Sequence, residues 1–145
     1  MSDTIYNRFF ANIMEGNCDL ATLGDTIKVA LVKSAYTIDK DHNVWGDISA
    51  NEVAGAGYSA GGATLGSQTV TQDDGNDRAY FDGADVTWAS ATLTGVNAPR
   101  YAVIYDVTAT SNLICIIDFG ADKPCDGGDF EILWDAAGIL RLYQA

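Results

Sequence analysis

The sequence predicts a mainly β fold, an antiparallel β-sandwich or barrel of jelly-roll or immunoglobulin-like type, with one N-terminal α-helix. Three observations carry this. From residue 68 onward, short apolar runs recur with turn residues between them. Hydrophobic side chains alternate with period two in segments such as Ile27, Val29 and Leu31. Fifteen glycines against two prolines supply many turns and few rigid spacers. The 145 residues suit a single domain, because halves of about 70 residues would each have a marginal core. Hydrophobic residues at 48% and charged residues at 19% exclude intrinsic disorder.

Residues 3–15 read as the helix. Asp3 or Thr4 would cap it, since a side-chain oxygen there accepts from first-turn amides. Ile5, Phe9, Phe10, Ile13 and Met14 recur at helical spacing, so an apolar stripe is expected that covers one end or face of a sheet of the same chain, with docking against a neighbouring subunit as the alternative. Tyr6, Arg8, Asn12 and Glu15 would face water or the stripe's edge, and Gly16 would end the helix in a left-handed turn. The β-rich body then runs over 25–145. It starts with a half-buried strand at Ile27–Leu31 and contains a long Gly-rich loop at 37–68, laid across the sheet and pinned by Trp45 and Tyr58. Further strands are expected at 68–72, 78–82, 85–89, 91–94, 100–107 and 112–119. The last two, 129–134 and 138–143, read as a hairpin turning at Asp135–Gly138. Turn signals stand at 73–77, 82–83, 95–99, 108–112 and 121–128. Trp88, Tyr101, Phe119, Phe130 and Trp134 are the expected large core residues.

Residues able to do chemistry are few. Cys18, Cys115 and Cys125 have no metal-ligand spacing, and an odd number cannot all pair. Cys115 is expected on one strand face with Leu113, Ile117 and Phe119, as a small buried hydrophobe. Cys18 and Cys125 stand in loop contexts; free thiols are expected, with a bridge between those two as the alternative. His42 is the only histidine, and its charged and polar neighbours suggest a solvated loop. Asp73, Asp74, Asn76 and Asp77 surround Gly75, which is a turn composition before it is a calcium loop. Asp126 and Asp129 beside Gly127 and Gly128 are read the same way. Glu52 and Glu131 are acid–base candidates only because acidic residues are abundant. The glycines at 55–66 lack the lysine of a phosphate loop. No catalytic residue, metal or cofactor is expected.

Lys and Arg number 8 against 20 Asp and Glu, a net charge of −12. That balance disfavours partners rich in phosphate, so neither nucleic acid nor an anionic membrane is expected. The first residues lack the basic and apolar regions of a signal peptide, so synthesis in a cytoplasm is expected.

Several stretches together resemble a known family. They are YNRFFANIMEGNCDL, TIKVALVKSAYTID, WGDISANEVAGAGYSAGGATL, DVTWASATLT, APRYAVIYDVT, LICIIDFG and GDFEILWDAAGILRL, and they span nearly the whole chain. The family is that of small virion proteins encoded by tailed bacteriophages and prophages among their head and tail structural genes. The combination of N-E-V-x-G-x-G-Y, R-Y-A-V-I-Y and W-D-A-x-G-I-L carries the likeness. The surroundings of Pro99 and Cys125 depart from it, which bears on loop shape.

The resemblance implies a non-enzymatic particle component made in the host bacterial cytoplasm. The first expectation is a capsid decoration (cement) protein on the outer shell, bridging major capsid protein subunits, with self-association into a symmetric homo-oligomer such as a trimer. The alternative is a tail, neck or fibre-associated protein, for which Tyr36, Trp45 and Tyr58 would form an exposed receptor- or glycan-contacting patch. A glycan hydrolase using an Asp/Glu pair ranks last.

Overall fold

The computed structural model describes residues 2–21, 23–108 and 110–143; Ala109, inside the expected turn at 108–112, lies outside them. The chain is mainly β, with antiparallel sheets and one helix near the N-terminus, a sandwich-like arrangement. Its strands are β1 (Ser2–Ile5), β2 (Ile27–Lys33), β3 (Ala63–Thr64), β4 (Thr69–Asp73), β5 (Arg78–Asp82), β6 (Val86–Leu93), β7 (Pro99–Asp106), β8 (Asn112–Asp118), β9 (Cys125–Ile132) and β10 (Leu140–Tyr143); the helix α1 spans Asn7–Glu15. A five-stranded sheet runs in the order β1-β8-β7-β2-β3. The facing layer is split into a three-stranded sheet, β10-β5-β4, and a two-stranded one, β6-β9.

The five-stranded sheet is covered on both faces. Ile27, Val29 and Leu31 of β2 pack with Ala102 and Ile104 of β7 against Phe81, Trp88, Leu93 and Leu140 of the split layer. On the other face Ala30, Val32, Tyr101, Val103 and Tyr105 meet Tyr6, Tyr36 and Ile48, with Trp45 partly buried beside them. The strand expected to be half-buried is therefore buried on both sides, and the covering comes from the weakly patterned stretch around residues 36–48. The Trp45 ring stacks on Tyr105 with centroids 4.9 Å apart and planes 11° from parallel. Such a pair contributes about 0.5–1.5 kcal/mol beyond its burial.

The helix begins later than its periodicity suggests. Residues 2–5 are a strand beside β8, with Asp3 opposite Ile117 and Thr4 opposite Ile116. Neither Asp3 nor Thr4 caps α1; the cap position is Tyr6, which makes no side-chain cap bond. An edge of β8 needing a partner outweighs a short segment's helical preference. Gly16 does end the helix in the left-handed conformation, at φ 72°. Phe9 enters the core, while Phe10 and Met14 of the expected stripe are exposed. Tyr6 and Asn12, expected near water, are buried.

Three further differences come from pairing. The expected strands 85–89 and 91–94 are the single strand β6, which bulges around Ser90 at φ 51° and stays paired to β9. A register shift between Ile104 and Tyr105 places Ile104 opposite Cys115 but Tyr105 opposite Leu113. The extra residue turns Leu113 to the opposite face from Cys115 and Ile117, so the four residues expected together are divided between the two cores. β9 begins at Cys125, inside the span expected to be a turn.

The Gly-rich loop is only partly a loop. Val53 N–H donates to Leu31 O, Glu52 bridges Val32, and β3 pairs with β2 at Val29 and Lys28. Between these, the Tyr58 hydroxyl accepts the Leu31 N–H at 3.0 Å and donates to Glu52 Oε1 at 2.7 Å. Backbone and side chain together close the free edge of β2, which would otherwise offer a template for strand addition.

Candidate functional site

The two outer sheets part where a hairpin was expected. β9 pairs with β6 through Val86–Ile132, Thr87–Glu131 and Trp88–Phe130. β10 pairs with β5 through Leu140–Phe81 and Arg141–Tyr80. The turn at Asp135–Gly138 is present, closed by Gly138 N–H to Asp135 O at 2.8 Å, but its two arms diverge. Each arm is held by a different neighbour. Trp134 donates its indole N–H to Ala84 O at 2.8 Å and its backbone N–H to Asp85 Oδ1 at 2.9 Å. Ile139 N–H donates to Phe81 O at 2.8 Å.

The result is a cleft of about 520 Å³ lined by Phe130, Ile132, Leu133, Trp134, Ile139, Ile117 and Phe119. Its floor is the five-stranded sheet, and its walls are the strands β9 and β10, each the last strand of its sheet among the described residues. Phe119, Phe130 and Trp134, expected as core residues, are only partly buried because they line this opening. Leu133 is 70% exposed at its edge. Asp3, Lys123, Glu131, Asp135 and Arg141 add charge of both signs.

The other candidate residues are used structurally. Asp73 accepts from Asn76 Nδ2 and, at 2.7 Å, from Arg78 Nε; these contacts hold its carboxyl below the usual range. Asp74 accepts from Gln72. Asp77 takes the left-handed conformation. Asp129 accepts the Ser90 N–H at 3.0 Å, on the bulge of β6. Asp126 lies within β9 opposite Thr92, where a turn was expected. Glu52 and Glu131 are not brought together as a pair on one element: the first clasps Tyr58 and Gly61 beside β2, the second lies on β9 near the Thr87 hydroxyl. His42 is not a free loop side chain; its Nδ1 is 2.9 Å from the Tyr36 hydroxyl and its ring stacks on Tyr36.

The aromatic patch expected from Tyr36, Trp45 and Tyr58 does not exist. Tyr36 is buried, Trp45 lies against Tyr105, and Tyr58 packs beside Trp88 on the opposite face of the sheet. Burial pushes the Tyr58 hydroxyl far above its ordinary range, with Glu52 adding to the effect. Cys18, Cys115 and Cys125 are all free.

One constellation has no signature in the sequence. Cys18, Asp25 and Asp106 bring a thiol and two carboxylates within 4.8 Å of one another. The three come from the loop after α1, the approach to β2 and the end of β7, so no spacing rule groups them. Burial pushes the Cys18 thiol up to about 12, with Asp106 and Asp25 adding repulsion against the thiolate. No family model, curated protein or solved structure matches the chain.

Proposed function

We propose that this chain is a non-enzymatic structural component of a tailed-phage particle, a decoration protein that attaches to the outer capsid shell and bridges major capsid subunits. The observation that carries the reading is the splayed β9–β10 cleft. It presents apolar side chains between two strand edges, a geometry suited to an extended segment that adds to a sheet and fills the groove with alternate side chains. A capsid subunit contributing such a segment would complete the outer layer. Attachment of this kind acts by mass action: each copy bound to the assembled lattice stabilises that lattice against dissociation and internal pressure. The net charge of −12 suits a surface remote from packaged DNA.

Catalysis finds less support in the same cleft. Asp3, Glu131 and Asp135 border it, but all three are exposed. Glycan hydrolysis calls for a carboxyl group in an enclosed, desolvated setting, which an exposed side chain does not provide.

The test is a purified particle. The chain is expected there in copy number near that of the major capsid protein, and heads lacking it are expected to rupture more readily on heating. Leu133→Glu is expected to detach the chain from particles without changing its own melting temperature, because Leu133 is exposed. Absence from particles overturns the reading. A few copies confined to the tail would favour the tail-associated alternative instead.

A further inference from the structure

We infer that the face shared by α1, β4 and β10 is a self-association surface, through which two copies of this chain pair about a two-fold axis. The inference does not rest on any role in a particle, and its face is separate from the β9–β10 cleft. Its first support is a groove of about 230 Å³ between α1 and the three-stranded sheet. Phe9, Ile13 and Leu20 line one side of it; Val70, Ala79 and Leu142 line the other. Val70 stands opposite Phe81 in the ladder, and Leu142 lies two residues beyond Leu140, so both share the sheet's core-facing side. Phe81 and Leu140 are buried, yet Val70 is 54% exposed and Leu142 is also open. The core-facing side of this sheet thus runs on past what covers it.

The second support comes from α1. Phe10 is three residues from Ile13 and four from Met14, so the three form one stripe. Ile13 lines the groove, and the stripe continues from it onto the surface, where Phe10 is open and Met14 is 81% exposed. The charged residues of the helix, Arg8 and Glu15, are seven apart and fall on another side. Arg8 borders a different pocket, with Asp19 and Asp25.

Charge selects the occupant. At a net charge of −12, two copies repel across most of their surface. Among the described residues none that lines this groove is charged, whereas the β9–β10 cleft carries five ionisable side chains. Here two like-charged chains can meet without burying a carboxylate. Asp74, Asp77 and Arg78 border the neighbouring depression that shares Val70, Ala79 and Leu142, so carboxylates flank the contact at its rim. Shape points to the same occupant. A projecting Met14 and an apolar groove adjoin on one face, and a two-fold axis sets Met14 of each copy over the groove of the other, which closes the assembly at two. The unbranched thioether chain adapts to an irregular groove. The exposed apolar side chains offer on the order of a few hundred Å² per copy, the size that marks an interaction site. Two such faces come to on the order of 1,000 Å², the lower limit for a specific interface, so the dimer is weak and concentration-dependent.

The test is sedimentation equilibrium of the full chain, where a reversible monomer–dimer equilibrium is expected. Raising NaCl from about 0.01 to 0.3 M should tighten it, because screening weakens the repulsion and leaves the apolar contact intact. Met14→Glu and Val70→Glu are each expected to weaken association about tenfold or more. At concentrations where the chain is monomeric, Met14→Glu should melt as the unaltered chain does. Leu133→Glu, placed in the other cleft, should leave the dimer intact. Should Val70→Glu fail to fold, the unaltered chain decides: an isotope-filtered NMR spectrum of mixed labelled and unlabelled copies should show the Met14 methyl of one copy against Val70 and Leu142 methyls of the other. A chain that stays monomeric up to about 1 mM overturns the inference. So does a dimer that salt dissociates, that survives Met14→Glu, that is lost with Leu133→Glu, or that lacks those methyl contacts.

Discussion

Tyr58 illustrates how much one polar atom can carry. Its hydroxyl receives the Leu31 N–H and gives its own proton to Glu52, linking the edge of the sheet to the loop that covers it. Tyr58→Phe keeps the ring against Trp88 but leaves that N–H without its partner. The expected loss is about 1–3 kcal/mol, measured by urea unfolding; a loss near zero would mean that water replaces the hydroxyl. Cysteine reactivity tests the surroundings of single thiols. Cys115 is buried, and Cys18 is pushed up to about 12 by burial and two carboxylates. Cys125 is therefore the one thiol expected to react rapidly with a disulfide reagent at mildly alkaline pH in the folded protein, whereas all three should react after denaturation. Rapid reaction of Cys18 would contradict its placement beside Asp25 and Asp106. Among the carboxylates, Asp118 is lowered mainly by Arg100, which approaches at 2.7 and 3.2 Å, and then by the Gly120 N–H. A carboxyl lowered in the folded state stabilises the fold above the unfolded carboxylate range. That contribution is lost as pH falls through the folded value, so melting temperature should decline below about pH 4, and less steeply in Asp118→Asn.

At the scale of elements, the short β3 strand depends on a backbone approach that only glycine permits. Gly62 has φ +72°, and a Cβ there would overlap the Val29 carbonyl and stand 2.6 Å from Ala30 Cα. Gly120 has φ +80°, and the space a Cβ would occupy there is open. Gly120→Ala should therefore cost only the left-handed penalty of about 1–2 kcal/mol, while Gly62→Ala should cost clearly more, because it also forces β3 away from β2. Equal losses by calorimetry would show that the loop relaxes without loss of pairing. The strands from β4 onward were legible in sequence because turn residues and alternating apolar positions mark their ends. Their partners were not legible. Residues 129–143 have every local mark of a hairpin, yet Trp134 is tied to Ala84 and Asp85 while Ile139 is tied to Phe81, and those anchors lie some fifty residues away in sequence. The bulge opposite Ile104 was equally hidden, since one inserted residue leaves the composition of LICIIDF unchanged while reversing the face of Leu113.

Across the whole molecule, charge and packing act in opposite directions. Two ion pairs, Arg78–Asp73 and Arg100–Asp118, are described against a net charge of −12. Self-repulsion should dominate their attraction, so raising NaCl from about 0.01 to 0.3 M is expected to raise the melting temperature in thermal scans. A fall would mean that ion pairs outweigh repulsion. The sequence by itself determined the mainly β character, the helix near the N-terminus ending at Gly16, the acidic balance and most strand positions. These are local properties, carried by side-chain period, turn chemistry and ionisable groups. Tertiary structure alone decided which strands pair, that the stretch around 36–48 covers a second face of the sheet, that the outer layer opens between β9 and β10, and that Cys18, Asp25 and Asp106 meet. The reason is physical: a segment's own residues set its preferred conformation, but its pairing and burial are won by competition among distant segments for the same edges and faces.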